Sequence, residues 1–282
     1  MKKFLFTILL LLLNHFTFSQ SFRLITYNLR YDNADDGVNQ WGNRREKVAE
    51  LIKKYNPDIF GVQEGLHNML EDLKILLPEY NFVGVGRDDG KTKGEYSAIF
   101  YKRDLIKVEQ DSTFWLSKTP AVAGSKSWDA AITRICTWAK FKDIKSGKQF
   151  YLFNTHFDHM GDTARLQSAL LLKKTGMMKA GGLPIVFMGD FNSEPEELPY
   201  KVMTNNNEGP IKDSFYSAIK NAADTLCTFT GFEVNGKICE RIDYIFTDQY
   251  WLVKFYNIIR DNDGTYYYSD HLPVMCEVEI VK

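Results

Sequence analysis

Arg241-Ile242-Asp243-Tyr244-Ile245-Phe246 and, a few dozen residues later, Ser269-Asp270-His271-Leu272-Pro273 indicate the architecture of this chain. Each stretch places an acid beside an apolar, strand-like segment. Buried charges are costly unless they are paired, so acids at strand ends suggest partners elsewhere in the chain. Three further strand-like runs end in the same way, at Thr26-Tyr27-Asn28, Val62-Gln63-Glu64 and Gly189-Asp190-Phe191-Asn192. Five polar clusters at strand ends predict an active site.

The periodicity of apolar residues predicts an α/β fold. Helical spacing favours helices at 43–54 (capped by Asn43), 66–76 and 163–174, the last with Leu166, Ala169 and Leu170 on one face. Pro195 is expected in the first turn of a short helix. Predicted strands cover 22–27, 59–63, 80–85, 97–101, 105–114, 133–143, 150–155, 184–188, 242–247, 252–259 and 273–281. This mixture predicts two β-sheets packed face to face, with helices on the outside.

The N-terminus has the pattern of a signal peptide. Lys2 and Lys3 precede an uncharged run from Phe4 to Leu13, which is too short to span a bilayer comfortably. We expect residues 1–20 to be removed on export to the periplasm or the exterior, and 21–282 to form one domain. An uncleaved anchor is the alternative. The exported protein is expected to be a monomer with no stable membrane insertion and no obligate protein partner.

The net charge of the chain bears on its substrate, and its four cysteines bear on possible disulfides. The formal charge of −1 becomes about −3 without the signal peptide. That is not the basic surface that holds long nucleic acids, so a smaller phosphate substrate is favoured. Cys136 and Cys276 lie in apolar strand patterns and are expected to be buried thiols. The sequence leaves open whether Cys227 and Cys239 form a disulfide.

Carboxylates at strand ends suit metal and water chemistry. Glu64 could ligate a hard cation at the end of its strand, or simply begin a helix. Asp190 and Asn192 would lie on the same side of an extended chain, where an acid and an amide could hold one water. A helix cap is the alternative. Asp243 is a natural partner to orient the imidazole of His271.

The stretch Asn154-Thr155-His156-Phe157-Asp158-His159 offers a rival interpretation. It matches the His-x-His-x-Asp-His pattern of di-zinc hydrolases except at Asn154. Outside the signal peptide only His67 and His271 remain as further imidazoles, whereas acid and amide oxygens are abundant. Oxygen ligands favour Mg²⁺ or Mn²⁺ over zinc. We therefore expect His156 to be a neutral hydrogen-bond donor to phosphate, oriented by Glu95, and His159 and His67 to be surface residues.

Taken in order, these motifs resemble the endonuclease/exonuclease/phosphatase superfamily, which includes pancreatic deoxyribonuclease, neutral sphingomyelinases and deadenylases. The resemblance covers nearly all of residues 21–282. It implies a four-layer α/β sandwich of two mainly antiparallel sheets flanked by helices. It also implies a hydrolase that cleaves phosphate esters by in-line attack of a water, with Mg²⁺ or Mn²⁺ as cofactor.

The resemblance assigns roles by position in the motifs. It implies a metal site formed by Glu64, assisted by Asn28 and Asp270. It implies catalytic roles for His156, Asp190, Asn192, Asp243 and His271. Asp190 and Asn192 would hold or deprotonate the water, whereas the two histidines would contact the phosphate.

The substrate is open at this point. Arg30 and Arg134 could bind a non-scissile phosphate, or pair with nearby acids. The substrate could be a nucleotide, a nucleic acid or a phosphorylated metabolite. A sphingomyelinase-like lipid phosphodiesterase would need an exposed aromatic hairpin, for which Tyr266–Tyr268 is the candidate. Trp41, Trp115 and Trp128 could stack on a base or sugar, or fill the core. A catalytically inactive binding module is disfavoured because every expected catalytic position holds a competent residue.

Overall fold

The computed structural model describes residues 21–205 and 210–281, so the predicted signal peptide lies outside the described residues. The strands are β1 Ser21–Asn28, β2 Ile59–Gln63, β3 Tyr80–Val83, β4 Ile99–Lys102, β5 Ile106–Trp115, β6 Ile135–Asp143, β7 Gln149–His156, β8 Ile185–Asp190, β9 Lys212–Asp213, β10 Lys220–Asn221, β11 Asp243–Thr247, β12 Trp251–Ile258 and β13 Val274–Ile280. The helices are α1 Trp41–Tyr55, α2 His67–Leu76, α3 Asp162–Ala180, α4 Leu198–Thr204 and α5 Ser214–Ser217.

Within the described residues the strands form two mixed sheets. The first contains seven strands in the order β10-β12-β13-β1-β2-β4-β3, and the second contains six in the order β5-β6-β7-β8-β11-β9. Neighbouring strands are antiparallel except in the pairs β1–β2, β10–β12 and β7–β8. The predicted architecture of two mainly antiparallel sheets with helices outside is confirmed.

Alternation along the central strands explains why their apolar runs are continuous. In β1, Leu24 faces the core between the sheets, whereas Ile25 faces the core beneath α1 and α2. In β8, Val186 joins the core between the sheets and Phe187 joins the core beneath α3. Because both faces are covered, the central strands are mostly apolar, and a polar side chain inside them needs a hydrogen-bond partner.

Several predicted helix boundaries were wrong. Helix α1 begins at Trp41, so Asn43 lies inside it, and the N-cap Gln40 makes no capping side-chain bond. Helix α3 continues to Ala180, where Gly181 in the left-handed conformation ends it. Leu170 is 40% exposed and does not share the buried face of Ala169. Pro195 lies outside any helix, because α4 begins at Leu198 and carries its proline at 199.

Two further features concern the cysteines and the helices. Cys227 and Cys239 form a disulfide, whereas Cys136 and Cys276 are buried free thiols as expected. Across residues 21–205 and 210–281, no helix combines the length and apolar character needed to cross a membrane.

Candidate active site

The ends of β1, β2, β7, β8 and β11 meet at one edge of the sandwich, around a cavity of about 650 Å³. All of the predicted site residues line this cavity except Asn28 and Asp243. These two are fully buried and bond to residues that do line it. The predicted site residues, which are far apart along the chain, therefore lie together in the structure.

Asn28 joins three strand ends. Its amide Nδ2 donates to Glu64 Oε1 at 3.1 Å and to Asp190 Oδ2 at 3.0 Å, and its Oδ1 accepts from the backbone N–H of Arg30. Glu64 also accepts from the backbone N–H of Tyr31 through Oε2. Helix α2 begins at His67, so Glu64 does not begin a helix. In the structure Asn28 presents nitrogen to the carboxylates, so ligation of a cation by its oxygen requires the amide to turn.

His271 is bound to a buried carboxylate. Its Nδ1 lies 2.9 Å from Asp243 Oδ2, as the sequence predicted, and both side chains are almost completely buried. Burial acts to lower the pKa of His271, but the carboxylates of Asp243 and Asp190 outweigh it and raise that pKa well above its ordinary value. Asp243 Oδ1 has no hydrogen-bond partner among the described residues.

His156 has the opposite environment. Its Nδ1 lies 2.8 Å from Arg134 Nη1, and burial together with the charge of Arg134 lowers the pKa of His156 well below its ordinary value. The expected partner was wrong. Among the described residues Glu95 bonds not to His156 but to Arg87 at 2.6 Å, and it lies 3.5 Å from Arg134. The partner of His156 is therefore Arg134, not the carboxylate of Glu95.

Asp190 lies between the two histidines. Its Oδ2 is 3.4 Å from His156 Nε2 and 3.8 Å from His271 Nε2. Burial and the nearby charge of Asp243 raise the pKa of Asp190 to about 7. A carboxyl group with such a pKa can accept a proton near neutral pH, which is what a general base requires.

Three residues at the cavity leave their strands through a left-handed backbone conformation. Arg30, Glu64 and Asn192 have φ angles of 54°, 59° and 44°. Asn192 is therefore not extended, and the expectation that it lies alongside Asp190 by strand alternation was wrong. Instead its backbone N–H donates to Asp190 Oδ1, while its side-chain amide donates to the carbonyl of Phe157.

The structure favours the ion-pair alternative for Arg30. Its guanidinium makes two hydrogen bonds of 2.9 Å with Asp36, and its Nε lies 4.0 Å from Asp270 Oδ2. Asp270 also accepts from the hydroxyl of Ser269. Arg30 still lines the cavity, where its guanidinium can also contact a bound substrate.

Among the described residues, two groups at the cavity could hold a cation. The first consists of Asp190, Asp243 and His271, whose candidate ligand atoms lie within 4.8 Å of one another. The second is the predicted group of Asn28, Glu64 and Asp270. In the first group His271 Nδ1 and Asp243 Oδ2 already satisfy each other. Once the amide of Asn28 turns, the second group offers only oxygen ligands, which Mg²⁺ and Mn²⁺ prefer, and it is the better fit to a hard cation.

Asn154, where the di-zinc pattern fails, has a structural role. It is fully buried, and its amide donates to the carbonyls of Val62 and Ala98 at 2.9 and 2.8 Å. Its oxygen accepts from Gln63 at 2.6 Å. The side chain connects β7 of one sheet to β2 and the residue before β4 of the other, and this explains why an amide, not an imidazole, stands there.

The sequence did not identify how the segment after Cys227 supports the site. The Thr228 hydroxyl accepts from the backbone N–H groups of Ile242 and Asp243. The ring of Phe229 packs on His271, with centroids 4.9 Å apart. Arg87 was also missed, although it lines the cavity and pairs with Glu95. No local pattern marks these residues, because their contacts are with distant parts of the chain.

The aromatic residues proposed for stacking or membrane contact are mostly inside the fold. Tyr267 is buried, and Tyr266 and Tyr268 are partly buried, so this stretch is not an exposed hairpin. Trp41 and Trp115 are buried, with indole N–H groups bonded to Asp72 and to the carbonyl of Arg87. His159 is exposed as expected, yet it lines the cavity.

Comparison with known proteins identifies relatives of this architecture. The model of the Endonuclease/Exonuclease/phosphatase family matches residues 25–271. A solved endonuclease/exonuclease/phosphatase from Bacteroides vulgatus is 42% identical, with a TM-score of 0.89 over 93% of this chain and 99% of that one. A mannosyl-6-phosphatase from Bacteroides thetaiotaomicron is 37% identical, with a TM-score of 0.85 over 91% of this chain and 99% of that one. A probable RNA exonuclease from Saccharomyces cerevisiae is 34% identical over 61% of this chain. The matched region covers only 37% of that exonuclease.

Proposed function

The chain belongs to the endonuclease/exonuclease/phosphatase family of phosphoester hydrolases, and from that premise we propose that it is a divalent-metal-dependent phosphatase acting on a small phosphorylated metabolite. The observation that carries the proposal is the arrangement around Asp190, with two histidines of opposite character within 4 Å of one oxygen. Such an arrangement can hold a water and a phosphate group side by side.

Charge supports the metal requirement. Glu64, Asp190 and Asp270 line one cavity, and the buried Asp243 lies directly behind them. A phosphate monoester dianion entering this cavity meets strong repulsion unless a cation is present. Mg²⁺ or Mn²⁺ held by Glu64 and Asp270, with Asn28 after its amide turns, would act as a Lewis acid that offsets the charge on phosphate oxygens.

The side chains of this chain would supply the remaining chemistry. Asp190 Oδ2 would orient the attacking water and accept its proton, and the backbone N–H of Asn192 fixes the carboxylate for that task. His156 Nε2–H and the protonated His271 would donate hydrogen bonds to phosphate oxygens as negative charge develops there. Asp243 would keep His271 oriented and charged.

The size and surroundings of the cavity support a small substrate. A volume of about 650 Å³ suits a drug-sized molecule. The arginines at the cavity are paired with acids, Arg30 with Asp36 and Arg87 with Glu95, so they do not form the free basic track that a long nucleic acid needs. Similarity to a mannosyl-6-phosphatase over almost all of that chain makes a sugar phosphate the first substrate to test.

Ribonuclease activity is the second candidate, because the chain is also similar to a probable RNA exonuclease. We further propose that the protein acts outside the cytoplasm. The Cys227–Cys239 disulfide supports this, since disulfides persist in oxidising compartments.

The test is hydrolysis of a substrate panel of mannose 6-phosphate, glucose 6-phosphate, AMP, bis-p-nitrophenyl phosphate, an RNA oligonucleotide and sphingomyelin. Inorganic phosphate is measured for the three monoesters. For the three diesters the products measured are p-nitrophenol, released nucleotides and phosphocholine. Each substrate is assayed with Mg²⁺, with Mn²⁺ and with EDTA. Asp190→Asn should abolish turnover, whereas Asp104→Asn, at an exposed acid in the turn before β5, should not. Preference for a sugar phosphate supports the proposal, and preference for RNA supports the second candidate. Turnover that survives EDTA contradicts the metal requirement.

A further inference from the structure

Arg134 occupies an unusual place beside the cavity. It directly precedes β6, and only 6% of its surface is exposed. Its Nη1 lies 2.8 Å from His156 Nδ1, and its Nη2 lies 3.4 Å from His159 Nδ1. Glu95, itself held by Arg87 at 2.6 Å, lies 3.5 Å from Arg134 Nη1. The guanidinium is thus held between an acid and imidazole rings, and these contacts take up both of its terminal nitrogens.

The chemistry of the two groups dictates where the proton on His156 lies. A guanidinium carries five N–H donors and no acceptor, and it stays protonated in proteins. A contact of 2.8 Å with Nδ1 therefore requires the Nδ1 lone pair, which leaves the proton on Nε2. Nε2 in turn lies 3.4 Å from Asp190 Oδ2, an acceptor. The other neutral tautomer would set N–H against N–H at one end and a lone pair against a carboxylate at the other.

We infer that Arg134 is a positioning residue that holds His156 as its neutral Nε2–H tautomer and directs that N–H into the reaction centre. The tautomer follows from the contacts alone, and only its effect on turnover rests on the proposed phosphoester hydrolysis. The role of Glu95 follows from the same geometry: it anchors Arg134 and does not orient His156 directly.

The protonation states of the two histidines beside Asp190 are then controlled by partners of opposite charge. Asp243 accepts the Nδ1 proton of His271 and favours the charged ring, whereas Arg134 donates to Nδ1 of His156 and favours the neutral ring. Both rings direct Nε2 towards the same carboxylate oxygen. His156 therefore presents the dipole of a neutral N–H group to the reaction centre, and His271 presents a full positive charge.

The direct test is the nitrogen NMR spectrum of the protein labelled with ¹⁵N-histidine, recorded without added metal. Loss of signals in His156→Gln identifies the resonances of His156. The expected wild-type pattern is an unprotonated Nδ1 and a protonated Nε2. In Arg134→Met the two nitrogen shifts should converge or exchange places. Arg87→Met is the matched control, because it removes the other arginine bound to Glu95 without touching His156, and it should preserve the pattern.

Kinetics distinguish positioning from substrate binding. If Arg134 acts through His156, Arg134→Met should lower kcat roughly 10- to 100-fold, as loss of an orienting partner commonly does, with little change in KM. If Arg134 binds a substrate phosphate, as the sequence alone suggested, KM should rise instead, and that result would overturn the inference.

The wild-type spectrum is decisive even if Arg134→Met does not fold. A protonated Nδ1 on His156 overturns the inference, and so does an Arg134→Met spectrum identical to wild type. The expected spectra in a protein that hydrolyses no phosphoester would support the tautomer assignment and contradict the proposed function.

Discussion

Asp243→Asn keeps the size of the side chain and removes the charge that His271 contacts. The Nδ1–Oδ2 separation of 2.9 Å and the nearly complete burial of both groups make this a charge-assisted hydrogen bond. Such bonds contribute roughly 1.5–3 kcal/mol. At 1.4 kcal/mol per tenfold, that corresponds to a loss of roughly 10- to 150-fold in kcat/KM for the preferred phosphoester.

The assay is steady-state phosphate release at fixed pH and saturating Mg²⁺, with thermal melting to confirm that the variant folds. His271→Gln and the double variant complete a mutant cycle. If the two residues act as a unit, the double variant should be scarcely slower than His271→Gln alone. A loss below threefold in Asp243→Asn, or additive losses in the double variant, would refute the reasoning.

Three further outcomes are expected. Asn154→Ala should lower the free energy of unfolding by about 3 kcal/mol in urea titrations, because three buried hydrogen bonds at about 1 kcal/mol each are lost; a loss below 1 kcal/mol would contradict its role between the sheets. Replacing Cys227 and Cys239 with serine should lower stability by roughly 2–4 kcal/mol, measured in the same way, and an unchanged midpoint would show that the disulfide constrains little. EDTA should abolish turnover and lower the melting temperature, and titrated Mg²⁺ should restore both, since a ligand of the native state stabilises it by mass action. A melting temperature that is insensitive to Mg²⁺ would argue against a bound cation.

The cavity was predictable because its residues follow mostly apolar strands. Both faces of β1, β2 and β8 are covered, so Asn28, Glu64 and Asp190 stand out where each strand ends. A polar residue directly after a buried strand is visible without knowledge of the fold, and parallel or neighbouring strands bring such ends to one edge.

Contacts between remote segments were not predictable in the same way. The sequence pairs His156 with Glu95 on chemical preference, but only the folded chain shows that Arg134 lies closer. Helix boundaries failed for a related reason. Helix α1 begins at Trp41, whose ring is buried and whose indole bonds to Asp72 of α2, and neither contact is visible in the local spacing.

Arg30, Glu64 and Asn192 lower the stability of the fold, because each holds a left-handed backbone conformation at the cavity. A side chain in that conformation loses roughly 1–2 kcal/mol, and glycine would avoid the loss while forfeiting about 0.5–1 kcal/mol of chain entropy. Glycine at position 64 would relieve the strain, but it would also remove the hydrogen bonds that Glu64 accepts from Asn28 and Tyr31, so little net stability would be gained. It would also remove the carboxylate proposed to hold the cation. Selection for turnover would therefore retain the strained residues, and the protein would have to recover the lost stability elsewhere in the sandwich.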